Sequence, residues 1–236
     1  MTALQQVVQR AVNEPQWRPH RDQVPPLPKE HEAYLIKQFR MIPNVTNKLA
    51  IALVLGYGGG EESVSLLTLT LTNGCAGHTF SEPEAQSFLG LLQAIGYAAQ
   101  RQSAAYDFLE LACRAQFWEQ ATLPGTPDRV GFRRRLVQHS LLGLALSGSP
   151  AGLEFLEGLR SATGGEFPHG QRSAVVDAVF RYRMLERHGA RYLSGEVFPD
   201  FESFMRAFRD WRATAEGAQW AAWSVSPDNR YPGSSR

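Results

Sequence analysis

An apolar stretch that returns about every 40 residues constrains this chain more than any other feature of its sequence. The segment Leu49-Ala50-Ile51-Ala52-Leu53-Val54-Leu55-Gly56-Tyr57 is echoed by Phe88-Leu89-Gly90-Leu91-Leu92-Gln93-Ala94-Ile95-Gly96-Tyr97, so that Gly-Tyr recurs after 40 residues. A third copy, Leu141-Leu142-Gly143-Leu144, follows 47 residues later. Counting from each glycine, position +10 is Leu66, Tyr106 and Leu153, and position +13 is Leu69, Leu109 and Leu156. Two apolar segments joined by a short turn and repeated at this period mark helix pairs that cannot bury their apolar faces alone and stack to do so.

Within the copies the spacing is helical. Phe88, Leu91, Leu92 and Ile95 fall at i, i+3, i+4 and i+7, and Val137, Leu141 and Leu144 repeat the stripe. A fourth unit is expected around Ala174, Val175, Ala178, Val179, Tyr182 and Leu185, stopped by Gly189. Phe201, Phe204, Met205 and Phe208 place one more amphipathic segment between Phe201 and Trp211. Leu67-Thr68-Leu69-Thr70-Leu71-Thr72 alternates as a half-buried strand would. Its counterparts Tyr106–Ala112 and Leu153–Leu159 read as helix, and the repeat decides for helix. Asn73–Pro83 and Leu123–Asp128, rich in Gly, Pro, Thr and Ser, are loops between units.

Outside the repeats, five prolines between Pro15 and Pro28 forbid a continuous helix and predict an extended strap that Trp17 lays against the body. Regular structure begins near Lys29 and runs to about Met41. The tail from Glu216 to Arg236 carries Trp220, Trp223 and Tyr231 among small and polar residues, too irregular for another repeat. The expected organisation is thus an N-terminal segment and strap over 1–28, a helical repeat domain over 29–212 and an aromatic-containing tail over 213–236.

These residues resemble the HEAT and armadillo class of helical repeats over Lys29–Gly189, and more loosely to Trp211. The resemblance implies an all-α fold, a short α-solenoid of three or four hairpins with an extended strap and an irregular tail. It also implies a curved surface that binds protein and, in some members, nucleic acid or a tetrapyrrole-bearing partner. No catalytic residue is shared across the class.

Composition adds exclusions. The 24 basic and 23 acidic residues nearly cancel, which removes any general attraction to nucleic acid or anionic lipid. Residues 129–236 hold 15 basic and 11 acidic residues against 9 and 12 in 1–128, so positive charge leans C-terminal. No run approaches the roughly 18 apolar residues that cross a bilayer. The N-terminus lacks the apolar core of a signal peptide, so a cytoplasmic location is favoured, with a mature exported protein as the alternative. Cys75 and Cys113 are too few for a disulfide framework or a metal quartet and read as buried thiols.

Chemistry-bearing patterns are weak throughout. His31-Glu32 lacks the second histidine of a metalloprotease helix, since position 35 is Leu35. Gly56-Tyr57-Gly58-Gly59-Gly60 lacks the Lys-Ser/Thr of a phosphate cradle and reads as a turn between helices. The six histidines show no i, i+4 pairing, and no Gly-x-Ser-x-Gly elbow occurs. No cofactor or metal is therefore expected. The arginines Arg133, Arg134, Arg135, Arg183 and Arg187 form either a solvated face, with pairs such as Asp177 to Arg181, or a groove for an acidic partner. Trp220, Trp223 and Tyr231 either cover the end of the stack or anchor a partner or a second copy of the chain. The function these features favour is a non-catalytic scaffold or accessory subunit that binds a protein partner. A nucleic-acid binder using the arginine-rich half and an enzyme with an unrecognised pocket are the alternatives.

Overall fold

A computed structural model describes residues 2–161 and 171–226. The described residues form thirteen α-helices and no strand: α1 (Ala3–Asn13), α2 (Lys29–Met41), α3 (Val45–Gly58), α4 (Glu61–Thr72), α5 (Glu82–Ala98), α6 (Ser103–Ala112), α7 (Ala115–Gln120), α8 (Arg129–Leu146), α9 (Pro150–Ser161), α10 (Arg172–His188), α11 (Ala190–Leu193), α12 (Phe201–Arg212) and α13 (Ala215–Val225). Their starts follow from local chemistry. Thr2 and Ser81 open α1 and α5 with capping boxes, and Asp128 accepts from the Gly131 N–H at the head of α8. Gly189, at φ 54°, closes α10 with its N–H on the Leu185 carbonyl.

The alternating segment Leu67–Thr72 lies inside α4. Val64, Leu67 and Leu71 are its buried stripe at helical spacing, and the Thr70 and Thr72 hydroxyls donate to the carbonyls four residues back at 2.8 and 2.9 Å. Those bonds let threonines sit in a helix without leaving a buried hydroxyl unpaired.

Packing runs in sequence order. Helix α3 lies against α5, α5 against α8, and α8 against α10, while α4 and α6 pack beside α5, α6 also beside α8, and α9 beside α8 and α10. The repeated glycines sit where the helices cross. A methyl group on Gly56 would lie 2.3 Å from the Ala94 carbonyl oxygen, and one on Gly96 would lie 2.5 Å from that of Gly143. One on Gly143 would come 2.7 Å from the Leu92 carbonyl oxygen. Real carbons do not approach oxygen so closely, so at these crossings the backbones touch and only glycine fits.

The turn between α3 and α4 is held from both sides. Arg101 donates to the Tyr57, Gly56 and Gly59 carbonyls at the negative end of α3. Glu32, reaching from α2, accepts from the Gly60 N–H at 2.7 Å and the Ser63 hydroxyl at 2.6 Å at the positive end of α4. A cation and an anion from distant segments thereby cap the two helix ends that α3 and α4 leave unsatisfied.

Three terminal features refine the sequence-based expectation. Residues 1–28 do not stand apart, because Val7, Val8 and Ala11 of α1 and Val24 of the strap belong to the core, and the Leu27 N–H donates to the Gly58 carbonyl. Trp17 packs against that core with Arg10 stacked 4.6 Å from its ring. The segment from 213, expected to be irregular, is helical over Ala215–Val225. Thr214 caps it at the Gly217 N–H, and its alanines favour helix intrinsically. The two loops Asn73–Pro83 and Leu123–Asp128 bond each other, Phe80 N–H to the Gly125 carbonyl at 2.8 Å and Gly125 N–H to the His78 carbonyl at 2.7 Å.

Gly56→Ala and Gly96→Ala should each lower unfolding stability by about 2 kcal/mol, the overpacking cost exceeding the helix-propensity gain. Gly158→Ala, whose added methyl meets nothing within 4 Å on exposed α9, should raise stability by up to about 1 kcal/mol. Urea unfolding of the three variants beside the parent measures both signs.

Candidate functional site

The register that brings the glycines together also brings together the residues that follow them. Tyr57 at the end of α3 and Tyr97 at the end of α5 stack with ring centroids 4.1 Å apart and planes 14° from parallel. The third copy places Leu144 at this position. Gln93, one turn before Tyr97, donates its side-chain amide to the Tyr97 hydroxyl.

This pair forms part of the wall of a cavity of about 520 Å³. Helices α3 and α5 supply Leu49, Leu53, Tyr57, Gln93 and Tyr97, and α10 supplies Arg181. Tyr192 and Leu193 of α11, with Phe198, Phe201 and Phe204 around the start of α12, form the opposite side. The strap closes one edge with Arg18, Pro19 and His20. The volume suits a ligand of small-molecule size or a few residues of a peptide.

Arg181 is the site's placed cation. Its Nε donates to the Asp177 carboxylate at 3.0 Å, its Nη1 reaches the Tyr192 hydroxyl at 3.5 Å, and its guanidinium lies 4.5 Å from the Phe204 ring centroid. Burial works against the charge, but the Asp177 carboxylate and the Tyr192 phenol outweigh it and hold the pKa above the ordinary arginine value. Burial likewise pushes the phenols of Tyr57, Tyr97 and Tyr192 upward, so all three stay neutral hydrogen-bonding groups. The lining carboxylate, Asp200, is held below the usual carboxylate range by the Ser203 N–H that it caps at 2.7 Å. That acceptor role leaves it poorly suited to take a substrate proton.

The residues singled out in the sequence lie elsewhere. Trp220 is 2% exposed and packs where α13 meets α10, under the Arg160 guanidinium, so it covers the flank of α10. Trp223 is half-buried, and buried Arg172 stacks on its ring and donates to its carbonyl at 2.9 Å. Tyr231 lies outside the described residues. Arg135 bridges to Glu82, and Arg183 bridges to Glu186 and Glu216 at 3.0 and 2.9 Å. Arg133 is half-buried, whereas Arg134 and Arg187 are exposed. Asp177 and Arg181 do pair as the i, i+4 spacing predicts, and Arg181 lines the cavity. The signal that would have found the site is the recurring Gly-Tyr itself: α3 and α5 pack against each other, and the tyrosines after Gly56 and Gly96 become neighbours.

Both cysteines are buried and unbridged. Among the described residues no cluster of three His, Cys, Asp or Glu side chains is placed to hold a metal ion, and no helix is long and apolar enough to cross a membrane. Comparison of the chain with protein-family models, curated proteins and solved structures finds no match.

His139 of α8 is a half-buried imidazole whose pKa is pushed down to about 4, from 6.5, by burial and the charges of Arg135 and Arg181. Below pH 6.5 the unfolded chain takes up this proton while the folded chain does not, so stability is full above that pH and falls as pH drops towards 4. The slope is at most roughly 1.4 kcal/mol per pH unit. His139→Gln should flatten the pH 7 to pH 5 difference in urea midpoint; an unchanged difference would show that His139 is accessible to protons in the fold.

Proposed function

We propose that this protein is a non-catalytic binding protein, a scaffold or accessory subunit built as a short solenoid of HEAT-like hairpins, which holds a segment of a protein partner in the cavity. The solenoid reading draws on the consecutive packing of α3, α5, α8 and α10 with the intervening helices beside them. The observation that carries the binding reading is the lining of the cavity. Stacked neutral phenols, an amide, a fixed guanidinium and apolar side chains suit recognition, and its carboxylate is already committed to a helix cap. General acid-base chemistry in the cavity would fall to His20, the imidazole that the strap places at its edge. The nucleic-acid alternative gains little support from arginines that are bonded to carboxylates, as Arg135, Arg181 and Arg183 are.

The test uses the immobilised full-length chain and its own cell lysate, with nuclease and two salt concentrations in parallel, beside a Gln93→Trp variant that plugs the cavity from an exposed helical position. A protein retained after nuclease and moderate salt by the parent, and reduced at least about tenfold by the plug, supports this reading. Retained nucleic acid that is lost at high salt, or a partner indifferent to the plug, overturns it.

A further inference from the structure

The head of α8 concentrates positive charge that the fold does not neutralise. Arg129, Arg133, Arg134 and Arg135 fall within its first two turns, and between Glu119 and Glu154 the chain carries one carboxylate, Asp128. Asp128 is spent on the helix start, where it accepts from the Gly131 N–H at 2.8 Å. Arg135 turns to Glu82 at the head of α5. Among the described residues, no carboxylate lies within ion-pair distance of Arg129, Arg133 or Arg134. Arg133 is half-buried, and its Nε is enclosed without an acceptor among them.

This arrangement works against the helix that carries it. The start of a helix bears partial positive charge, which repels cations, and Arg129 and Arg133 are like charges four residues apart. Nor does the core require them. At about 100° per residue, Arg129, Arg133, Val130 and Arg134 follow one another around one face of α8, while Phe132 and Leu136 turn into the core. Arg129 and Arg134 are exposed, and Val130, lying between Arg133 and Arg134 on that face, is 72% exposed. The free chain thus leaves three guanidiniums and an apolar side chain in water, at a place where negative charge would relieve repulsion.

Guanidinium groups match carboxylates two hydrogen bonds at a time. The face spans about 8 Å along the helix axis. That is short for the many phosphate contacts on which nucleic-acid binding rests, and Val130 offers a phosphate backbone nothing. We propose that the first two turns of α8 dock an acidic segment of a partner protein, with its carboxylates on Arg129, Arg133 and Arg134 and an apolar side chain on Val130. This surface shares no residue with the cavity, so it adds a second point of attachment and does not depend on the first.

Fluorescence anisotropy with the full chain tests the assignment. The probes are labelled Gly-Glu-Asp-Leu-Glu-Asp-Leu-Gly, an analogue with Gln and Asn for its acids, another with Ser for its leucines, and an oligothymidylate. The acidic peptide should saturate below about 1 mM at low salt, the neutral analogue should bind at least about tenfold more weakly, and the serine analogue at least about threefold more weakly. Arg133→Gln combined with Arg134→Gln should cost at least about tenfold in affinity, whereas Arg187→Gln, at an exposed cation on α10, should cost nothing. Arg129→Glu places a carboxylate at the positive end of α8 and four residues before Arg133, so it should weaken the peptide at least about tenfold while raising the urea midpoint. A residue serving only the fold would not lose binding as stability rose. Equal affinity for the acidic peptide and either analogue, absence of saturation, or tighter binding of the oligothymidylate overturns the proposal. Dimerisation in sedimentation that Arg129→Glu abolishes gives the face to a second copy and overturns it too. Loss of peptide binding in Gln93→Trp would move the peptide to the cavity, against this inference, whereas a partner that ignores that plug counts against the cavity reading alone.

Discussion

Direct backbone contact between crossing helices is the constraint on which the rest of this structure depends. At Gly56 on Ala94 and at Gly96 on Gly143, a single methyl group would collide with a carbonyl oxygen. Helices brought this close lock in rotation as well as in distance, because only the glycine face of each fits. The apolar stripes of α3, α5 and α8 then interlock along their length, and Leu55, Phe88, Leu91, Leu92, Leu141 and Leu144 become core. Burial of those side chains provides most of the favourable free energy, and the glycines decide which burial is geometrically available.

The cavity follows from the same constraint. With rotation fixed, the residue after each repeat glycine must emerge at an equivalent place, so Tyr57 and Tyr97 stack. Elements outside the repeat then wall in the space in front of them. The strap contributes Arg18 to His20, and the short α11 with the start of α12 contributes Tyr192 to Phe204. Arg181 sits between repeat and addition, bonded to Asp177 on its own helix, near Tyr192 on the next one and stacked on Phe204. It therefore contributes both to the docking of α12 and to the character of the cavity.

Charge elsewhere in the molecule is spent on architecture. Glu32 and Arg101 cap the two ends at the α3–α4 turn, Arg135 joins α8 to the head of α5 through Glu82, and Arg183 joins α10 to α13 through Glu216. Arg172 is buried against Trp223 and its carbonyl. Of the arginines in the basic half, Arg135, Arg172 and Arg183 tie one helix to another, while Arg134 and Arg187 stay exposed.

How much of this could be read from the sequence varies by residue. The helix Lys29–Met41, the stop at Gly189 and the loop positions were legible because caps and periodicity are local properties, whereas Leu67–Thr72 alternates locally like a strand and only comparison with its counterparts favoured the helix that forms. The helix Ala215–Val225 was not, because small residues carry little periodic signal and its burial depends on α10 and α12. Nor was the placement of Trp220: an aromatic in a tail has the same sequence whether it faces a partner or its own core. By itself, then, the sequence determined an all-helical chain with a period near 40 and glycines at one recurring position. Only the tertiary structure decided which side chains share a cavity. Tyr57, Tyr97, Arg181 and Tyr192 are separated by up to 135 positions along the chain, and their meeting depends on helix rotation, which packing sets and composition does not record.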